Sequence, residues 1–398
     1  MPDRRILLLL ALQFTGGVIV SPVGTLLPVY LSDVGYTAIF IAGAFTLQRV
    51  MGLLSSLAGG TLSDLLSRKQ TIVIGLAGLL AASGAFLTRS PALILSLWAL
   101  YGVGMTLNSL GSQSYLMDAA ASSSLGLLTA LYYWGSTLGG AIGSPAAALL
   151  LRRMSFASFG VVFLLLGALA VGLAVTALPA APRAAAGGAR AQGASRGRLF
   201  GFGDIASRPE VLHLAFLRFL PTFCYGMLTV YVPLLLQRAG SSASAIAIYA
   251  TVSSLSAALA QLAAGRLADR IGPRIPSLAV YGLFAASALG IGLLPGRPEA
   301  VFVFGVLAMS GAWSLSVLLP PLVALVAPQA ERGRVLGFIH LFWNLAMILG
   351  SLVGGLMFEL WAGLPFLVGS AAVAAAPILV LSFFRLVSAR LQCGPDRN

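Results

Sequence analysis

Apolar residues run through this chain in long blocks, broken at short intervals by glycine, proline and charge. Blocks of roughly twenty residues cross ~30 Å of hydrocarbon when wound at 1.5 Å per residue. They fall at 6–31, 38–62, 71–88, 92–117, 125–151 and 157–178, and again at 210–236, 244–268, 276–294, 300–327, 333–358 and 364–384. Between the two sets lies an Ala-, Gly- and Arg-rich stretch, 179–209, with too little apolar sequence to build a core of its own. The pattern predicts an all-α integral membrane protein: an N-terminal six-helix bundle over 1–178, a linker, and a C-terminal six-helix bundle over 210–398 that ends in a short tail. The first block follows Arg4 and Arg5 as a signal peptide would, but it continues to about Leu31 without a small-residue cleavage site, which predicts a retained first helix.

The polar breaks carry a repeat. Gly60-Thr-Leu62-Ser-Asp64-Leu-Leu-Ser67-Arg68-Lys69 follows the second block, and Gly265-Arg-Leu267-Ala-Asp269-Arg270-Ile-Gly272-Pro-Arg274 follows the eighth. At the same offset of 205 positions, Gln13-Phe14 maps to Arg218-Phe219, Pro28 to Pro233 and Gly35 to Gly240. Six helices, a linker and six similar helices are the signature of parallel repeats about an axis along the membrane normal. The two bundles are therefore expected to be pseudo-symmetric.

The pattern G-x-L-x-D-x-x-G-x-R/K in these breaks resembles the loop signature of the major facilitator superfamily of secondary transporters. The second copy matches it throughout, while the first has Ser67 in place of the second glycine. The resemblance covers nearly the whole chain. It implies two bundles rocking about a midplane site, with cavity walls from spans 1, 4, 7 and 10 and their neighbours. It also implies a cytoplasmic gate formed by Gly60, Asp64, Arg68 and Lys69 together with Gly265, Asp269, Arg270, Gly272 and Arg274. In that gate each loop carboxylate docks on the positive end of a neighbouring helix, an interaction of ~0.3–1 kcal/mol, up to ~2 when partly buried. The start of span 11 near Glu331–Arg334 is the natural partner of the first copy.

Composition sharpens this. The 398 residues are 59% hydrophobic and 9% charged, more apolar sequence than a soluble core of that length can hide. The formal net charge of +13 would suggest nucleic acid in a soluble protein. Here the basic residues sit in the breaks: with the N-terminus inside, seventeen fall on the cytoplasmic side and five opposite, leaving only Arg49 and Arg218 inside spans. That bias sets both termini and the linker in the cytoplasm of a cell membrane. Two cysteines, Cys224 and Cys393, supply neither a disulfide framework nor metal spacing, and no metal or cofactor is expected.

Candidate chemistry follows from polar residues at membrane depth. Arg49 lies about eighteen ångströms from either end of its span by the helical rise, where a basic side chain costs at least ~2.5–3.5 kcal/mol unless something compensates it. It is either a cavity cation that receives an anionic substrate or a lock onto a neighbouring helix. Phe45, Gly52, Ser56 and Gly59 share its face. Span 7 carries the stripe Arg218, Thr222, Tyr225 and Thr229, and Gln13 is the counterpart of Arg218 in span 1. Span 4 carries Tyr101, Met105, Asn108, Ser112 and Tyr115; span 5 carries Tyr132 and Tyr133; span 10 carries Ser310, Trp313 and Ser314; span 11 carries His340, Trp343, Asn344 and Met347. Aromatics with scattered hydroxyls and amides suit a small amphipathic solute. For any one such residue, interhelical hydrogen bonding at ~0.6 kcal/mol is the competing explanation. His340 is also a candidate proton carrier, since no acid shares that depth.

Small residues repeat on spans 5 and 11, with Gly135, Gly139, Gly140 and Gly143 matched by Ala346, Gly350, Ser351 and Gly354. In the superfamily a glycine-rich stripe with a central proline in span 5 accompanies export. Here Gly140 occupies the proline position and Pro145 lies beyond it.

Together these features point to a secondary transporter for a small organic solute, working by alternating access and leaning towards export. The alternatives are an organic-anion or sugar-like uptake carrier using Arg49, and a non-transporting sensor on the same fold. An intramembrane enzyme is disfavoured, because neither HExxH nor GxSxG occurs and His213 and His340 have no nucleophile or metal partner in sequence. The expected partners are the substrate, the lipid bilayer and, as one option, protons, with no nucleic acid and a monomeric state.

Overall fold

The structure, a computed structural model, describes residues 4–65, 67–119, 125–179, 203–327 and 332–392. Among the described residues every regular element is helical. The N-terminal helices are α1 (Arg4–Asp33), α2 (Ala38–Leu65), α3 (Arg68–Gly84), α4 (Pro91–Ala119), α5 (Leu125–Leu151) and α6 (Phe156–Ala177). A single turn, α7 (Gly203–Ala206), precedes α8 (Pro209–Arg238), α9 (Ala243–Ile271), α10 (Arg274–Leu293), α11 (Pro298–Val326), α12 (Arg332–Leu360), α13 (Leu364–Ala374) and α14 (Ala376–Gln392). Eleven spans among the described residues are long and apolar enough to cross a membrane, with α13 and α14 counted together. The 27-residue α5 completes twelve. Most of the expected linker, 180–202, lies outside the described residues.

By its contacts the chain divides into two units, Met1–Gly197 with Ser241–Val252, and Arg198–Gly240 with Ser253–Asn398. In the first, α1 packs on α5 and α6, and α3 on α4 and α6. In the second, α8 packs on α12 and α13, and α10 on α11 and α13. The pairings correspond one to one, which is the sequence repeat expressed in packing.

Glycine sets the closest approaches. A Cβ on Gly139 or Gly143 of α5 would collide with the carbonyls of Phe14 and Val18 in α1, and one on Gly350 of α12 with the carbonyl of Phe223 in α8. Side chains then fasten the crossings. Ser21 and Ser144 share a hydroxyl hydrogen bond of 3.0 Å, and Tyr231 donates to the carbonyl of Ser351 at 2.5 Å. Helix ends repeat as well. Gly35 and Gly240, the mapped pair, close α1 and α8 with φ of 95° and 88°, a left-handed conformation that only glycine adopts without strain.

Three expectations need correction. The spans before the charged breaks are expected to end at 62 and 268, yet α2 runs to Leu65 and α9 to Ile271. Alanine, leucine, aspartate and arginine all tolerate a helix end, so the helix stops only where the backbone is forced to turn. At the second break that point is Gly272, with φ of 80°. At the first it is Ser67, extended at φ −69°, which forms a capping box with Gln70 at the start of α3. The departure from the loop pattern is thus a change from a glycine turn to a serine cap. Finally, the last span is two helices separated at Ala375, and it continues past 384 to Gln392.

Candidate functional site

The described side chains form a cavity in the second unit, with an empty volume of about 420 Å³ counting the part open to solvent. Its walls come from α8 (Arg218, Pro221, Thr222, Tyr225), α11 (Ala312, Trp313, Ser316) and α12 (Trp343). The helical period explains the α8 wall, since residues 218, 222 and 225 lie one turn apart on a single face. Tyr225 meets Trp313 edge to face, with ring centroids 6.1 Å apart and planes at 86°. The site is therefore an aromatic cleft with a cation at one end.

Arg218 lies nine residues into α8, counted from Pro209. Its Nη1 donates to the Ser316 hydroxyl at 3.1 Å, and no carboxylate among the described residues pairs with it. Arg218 is half-buried, and a cation partly withdrawn from water favours an opposite charge beside it. The physical demand of this site is for an anion.

The other candidates are distributed differently. Trp343 lines the cavity, and its neighbours on α12 lie beside it: the His340 ring is 6.5 Å from the Trp343 ring, and Asn344 Nδ2 donates to the His340 carbonyl at 3.0 Å. Ser310 and Ser314 return their hydroxyls to the carbonyls of Val306 and Ser310, so they serve the helix. In the first unit, the Ser112 hydroxyl donates to Asn108 Oδ1 at 3.3 Å, and Ser112 is also a partner of the buried Tyr132. That network satisfies itself. Tyr115, expected in the cavity wall, is buried, and its hydroxyl donates to the carbonyl of Pro179 at 3.1 Å, which ties α4 to the chain leaving α6. Tyr133 is 54% exposed beside Trp134. Gln13 is half-buried on α1.

Arg49 is half-buried on α2, with its charge in range of the Tyr101 hydroxyl on α4. Next to it, Phe45 packs on Trp98 at 5.2 Å, and Gly52 accepts a hydrogen bond from Thr106 at 3.2 Å. The face carrying Phe45 and Gly52 is thus the α4 contact, with Arg49 at its flank.

At the expected gate, Lys69 Nζ donates to the Val175 carbonyl at 2.7 Å, capping the end of α6. Its counterpart Arg274 sits 5.9 Å from the centre of the Phe384 ring on α14. The basic residue at the start of each third helix therefore reaches its unit's last span, at the end of α6 in the first unit and mid-way along α14 in the second. Gly265 faces Val317 of α11. Asp269 is exposed on the last turn of α9, and the helix starts on which the gate carboxylates are expected to dock lie largely outside the described side chains. Arg270 is likewise exposed, and Arg68 opens α3. The side chains of Gly60 and Asp64 fall outside the described residues.

Sequence reasoning missed Ser316, Pro221 and Ala312 in the cavity wall. Ser316 stands three residues after Trp313, on the same helical face, and that spacing was the available signal.

A family model for the Major Facilitator Superfamily matches residues 6–327 and 237–393. The chain belongs to this superfamily. The "3-(3-hydroxy-phenyl)propionate transporter" of Escherichia coli (strain K12) is 30% identical over 387 residues, covering 92% of each chain. An uncharacterized MFS-type transporter, YhhS, of Escherichia coli O157:H7 is 24% identical over 397 residues, covering 96% of this chain and 92% of its own. Among solved structures, the nucleoside transporter NupG superposes with a TM-score of 0.75 at 16% identity, covering 96% of this chain and 99% of that one. A bacterial homolog of the human lysosomal transporter Spinster, inward-facing and unoccupied, gives 0.68 at 16% identity, covering 98% of each chain. These two likenesses establish the fold. As a superfamily member the protein is a multi-pass membrane transporter of a small solute.

Proposed function

We propose that this superfamily member carries small aromatic carboxylates across a bacterial inner membrane by alternating access, with Arg218 receiving the carboxylate and Tyr225, Trp313 and Trp343 enclosing the ring. The observation that carries this is the half-buried Arg218 guanidinium, bonded to Ser316 at 3.1 Å with no carboxylate partner among the described residues, lining an aromatic cleft. A bidentate guanidinium–carboxylate pair matches that geometry. The full-length relative named for hydroxyphenylpropionate transport supports the same class. The charge bias of the breaks supports cytoplasmic termini on both sides of the linker and two six-helix bundles with boundaries near 178 and 210.

The glycine stripe that hinted at export is occupied in packing α5 on α1, with a matching stripe packing α12 on α8, so it carries no direction. Uptake is the favoured direction. An anion entering an inside-negative cell works against ~2.3 kcal/mol per charge per 100 mV, so accumulation needs a cation moving with it. We assign that charge to a proton, with His340, its ring 6.5 Å from that of Trp343, as the candidate carrier.

The test is uptake of labelled 3-phenylpropionate into proteoliposomes, against its neutral amide, a nucleoside and a hydrophobic cation. Saturable uptake of the carboxylate alone, raised by an inward proton gradient, is expected. Uptake of the nucleoside or the cation without the carboxylate would overturn the proposal.

A further inference from the structure

Arg218 borders two cavities. Besides the aromatic cleft it lines a smaller space with Leu217, Leu315, Leu319, Ser277 and Tyr281, whose free interior holds about one water-sized sphere. That space is aliphatic except where Arg218, Ser277 and Tyr281 meet.

Ser277 behaves unlike the other helix serines nearby. Ser287, Ser310, Ser314 and Ser351 each donate to the carbonyl four residues back. Ser277 is 1% exposed, yet its hydroxyl has no hydrogen-bond partner and lies on the wall of the cavity beside Arg218. Tyr281, one turn further along α10, donates to the Leu217 carbonyl at 2.7 Å, which leaves its oxygen free to accept. Arg218 has five N–H donors and uses one on Ser316. A guanidinium donor, an uncommitted hydroxyl and an accepting phenol oxygen around a water-sized space are the two to four partners that a buried water requires.

We propose that Ser277 is a positioning residue for substrate recognition: its hydroxyl and the Tyr281 oxygen hold one buried water that braces Arg218 from the side opposite the aromatic cleft. The water accepts from an Arg218 N–H, donates to Tyr281 Oη and exchanges one hydrogen bond with Ser277, so every group in the corner is satisfied. Ser277 touches no substrate. It fixes where the guanidinium stands when a carboxylate arrives, and the inference rests on Arg218 being the carboxylate receptor.

The experiment compares binding of 3-phenylpropionate with binding of its neutral amide, by calorimetry on purified full-length protein. The variants are Ser277→Val, which fills the space and removes the hydroxyl, Ser277→Ala as a milder change, and Ser277→Thr, which keeps the hydroxyl. The valine and alanine variants are expected to lose about three- to tenfold of the preference for carboxylate over amide, the worth of one hydrogen bond. The threonine variant should retain that preference. Equal weakening of both ligands would make Ser277 a packing residue and overturn the inference, as would an unchanged preference. Arg218→Gln runs alongside. If it abolishes the preference while Ser277→Val keeps it, only the role of Ser277 falls; if Arg218→Gln itself keeps the preference, both fall.

Discussion

The two units of this transporter place different residues at matched positions. Where α8 presents Arg218, half-buried with a cavity and a hydroxyl partner on α11, α1 presents the equally half-buried but uncharged Gln13. Elsewhere the copies agree. Gly35 and Gly240 end equivalent helices with the same left-handed turn, glycine stripes carry α5 onto α1 and α12 onto α8, and Lys69 and Arg274 each reach the last span of their unit. The copies keep glycine at their closest crossings, because a Cβ at Gly139, Gly143 or Gly350 would meet a backbone carbonyl. The cavity positions are free to diverge, because a polar side chain there answers to a ligand. Asymmetry between matched residues is therefore a sharper guide to the substrate site than polarity alone.

The first way to break this comparison is to disturb the shared packing. Gly17→Ala, Gly139→Ala and Gly350→Ala each push a methyl into a neighbouring backbone carbonyl and should cost ~1–3 kcal/mol or more, read as a fall in melting temperature in detergent. Gly16→Ala, beside Gly17 but with open space around its Cβ, should be neutral or stabilise by up to ~1 kcal/mol. If Gly16→Ala and Gly17→Ala melt alike, the glycines do not set the crossing.

A smaller effect tests the diverged turn. Gly272→Ser forces a side chain into a φ of 80° and should cost ~1–2 kcal/mol. At the matched position, Ser67→Ala loses a helix cap worth ~1 kcal/mol, and Ser67→Gly loses only a few tenths. Equal tolerance of serine and glycine at both places would contradict the two distinct local structures. Smallest of all, Lys69→Gln should lower stability by ~1 kcal/mol or less, since the bond is exposed. A large loss there would mean the contact does more than cap α6.

Much of the fold was legible in the chain because hydropathy and the repeat are written in consecutive residues. The twelve spans, the mapped glycines and the small-residue stripes all follow from spacing. Helix ends were less legible. Gly60 and Gly265 stand before charged residues that look like loop, yet nothing there forbids helix until Ser67 and Gly272 change the backbone. The site was half legible. Arg218, Thr222, Tyr225, Trp313 and Trp343 share one cavity, as their stripes allow, whereas Asn108, Ser112 and Tyr132 carry an equally polar pattern and bond among themselves. Periodicity shows which residues share a face. It does not show whether that face meets a ligand or another helix. Ser316 shows the converse: only its place one turn after Trp313 marks it, yet it bonds the Arg218 guanidinium.

The central claim is that Arg218 converts one of two similar helix units into an anion site. The most direct test is titration of 3-phenylpropionate into the purified protein and into Arg218→Gln. Loss of one charge-assisted pair predicts roughly tenfold to hundredfold weaker binding, with binding of the neutral amide unchanged. Carboxylate affinity that survives the substitution, or an equal loss for acid and amide, would contradict the account.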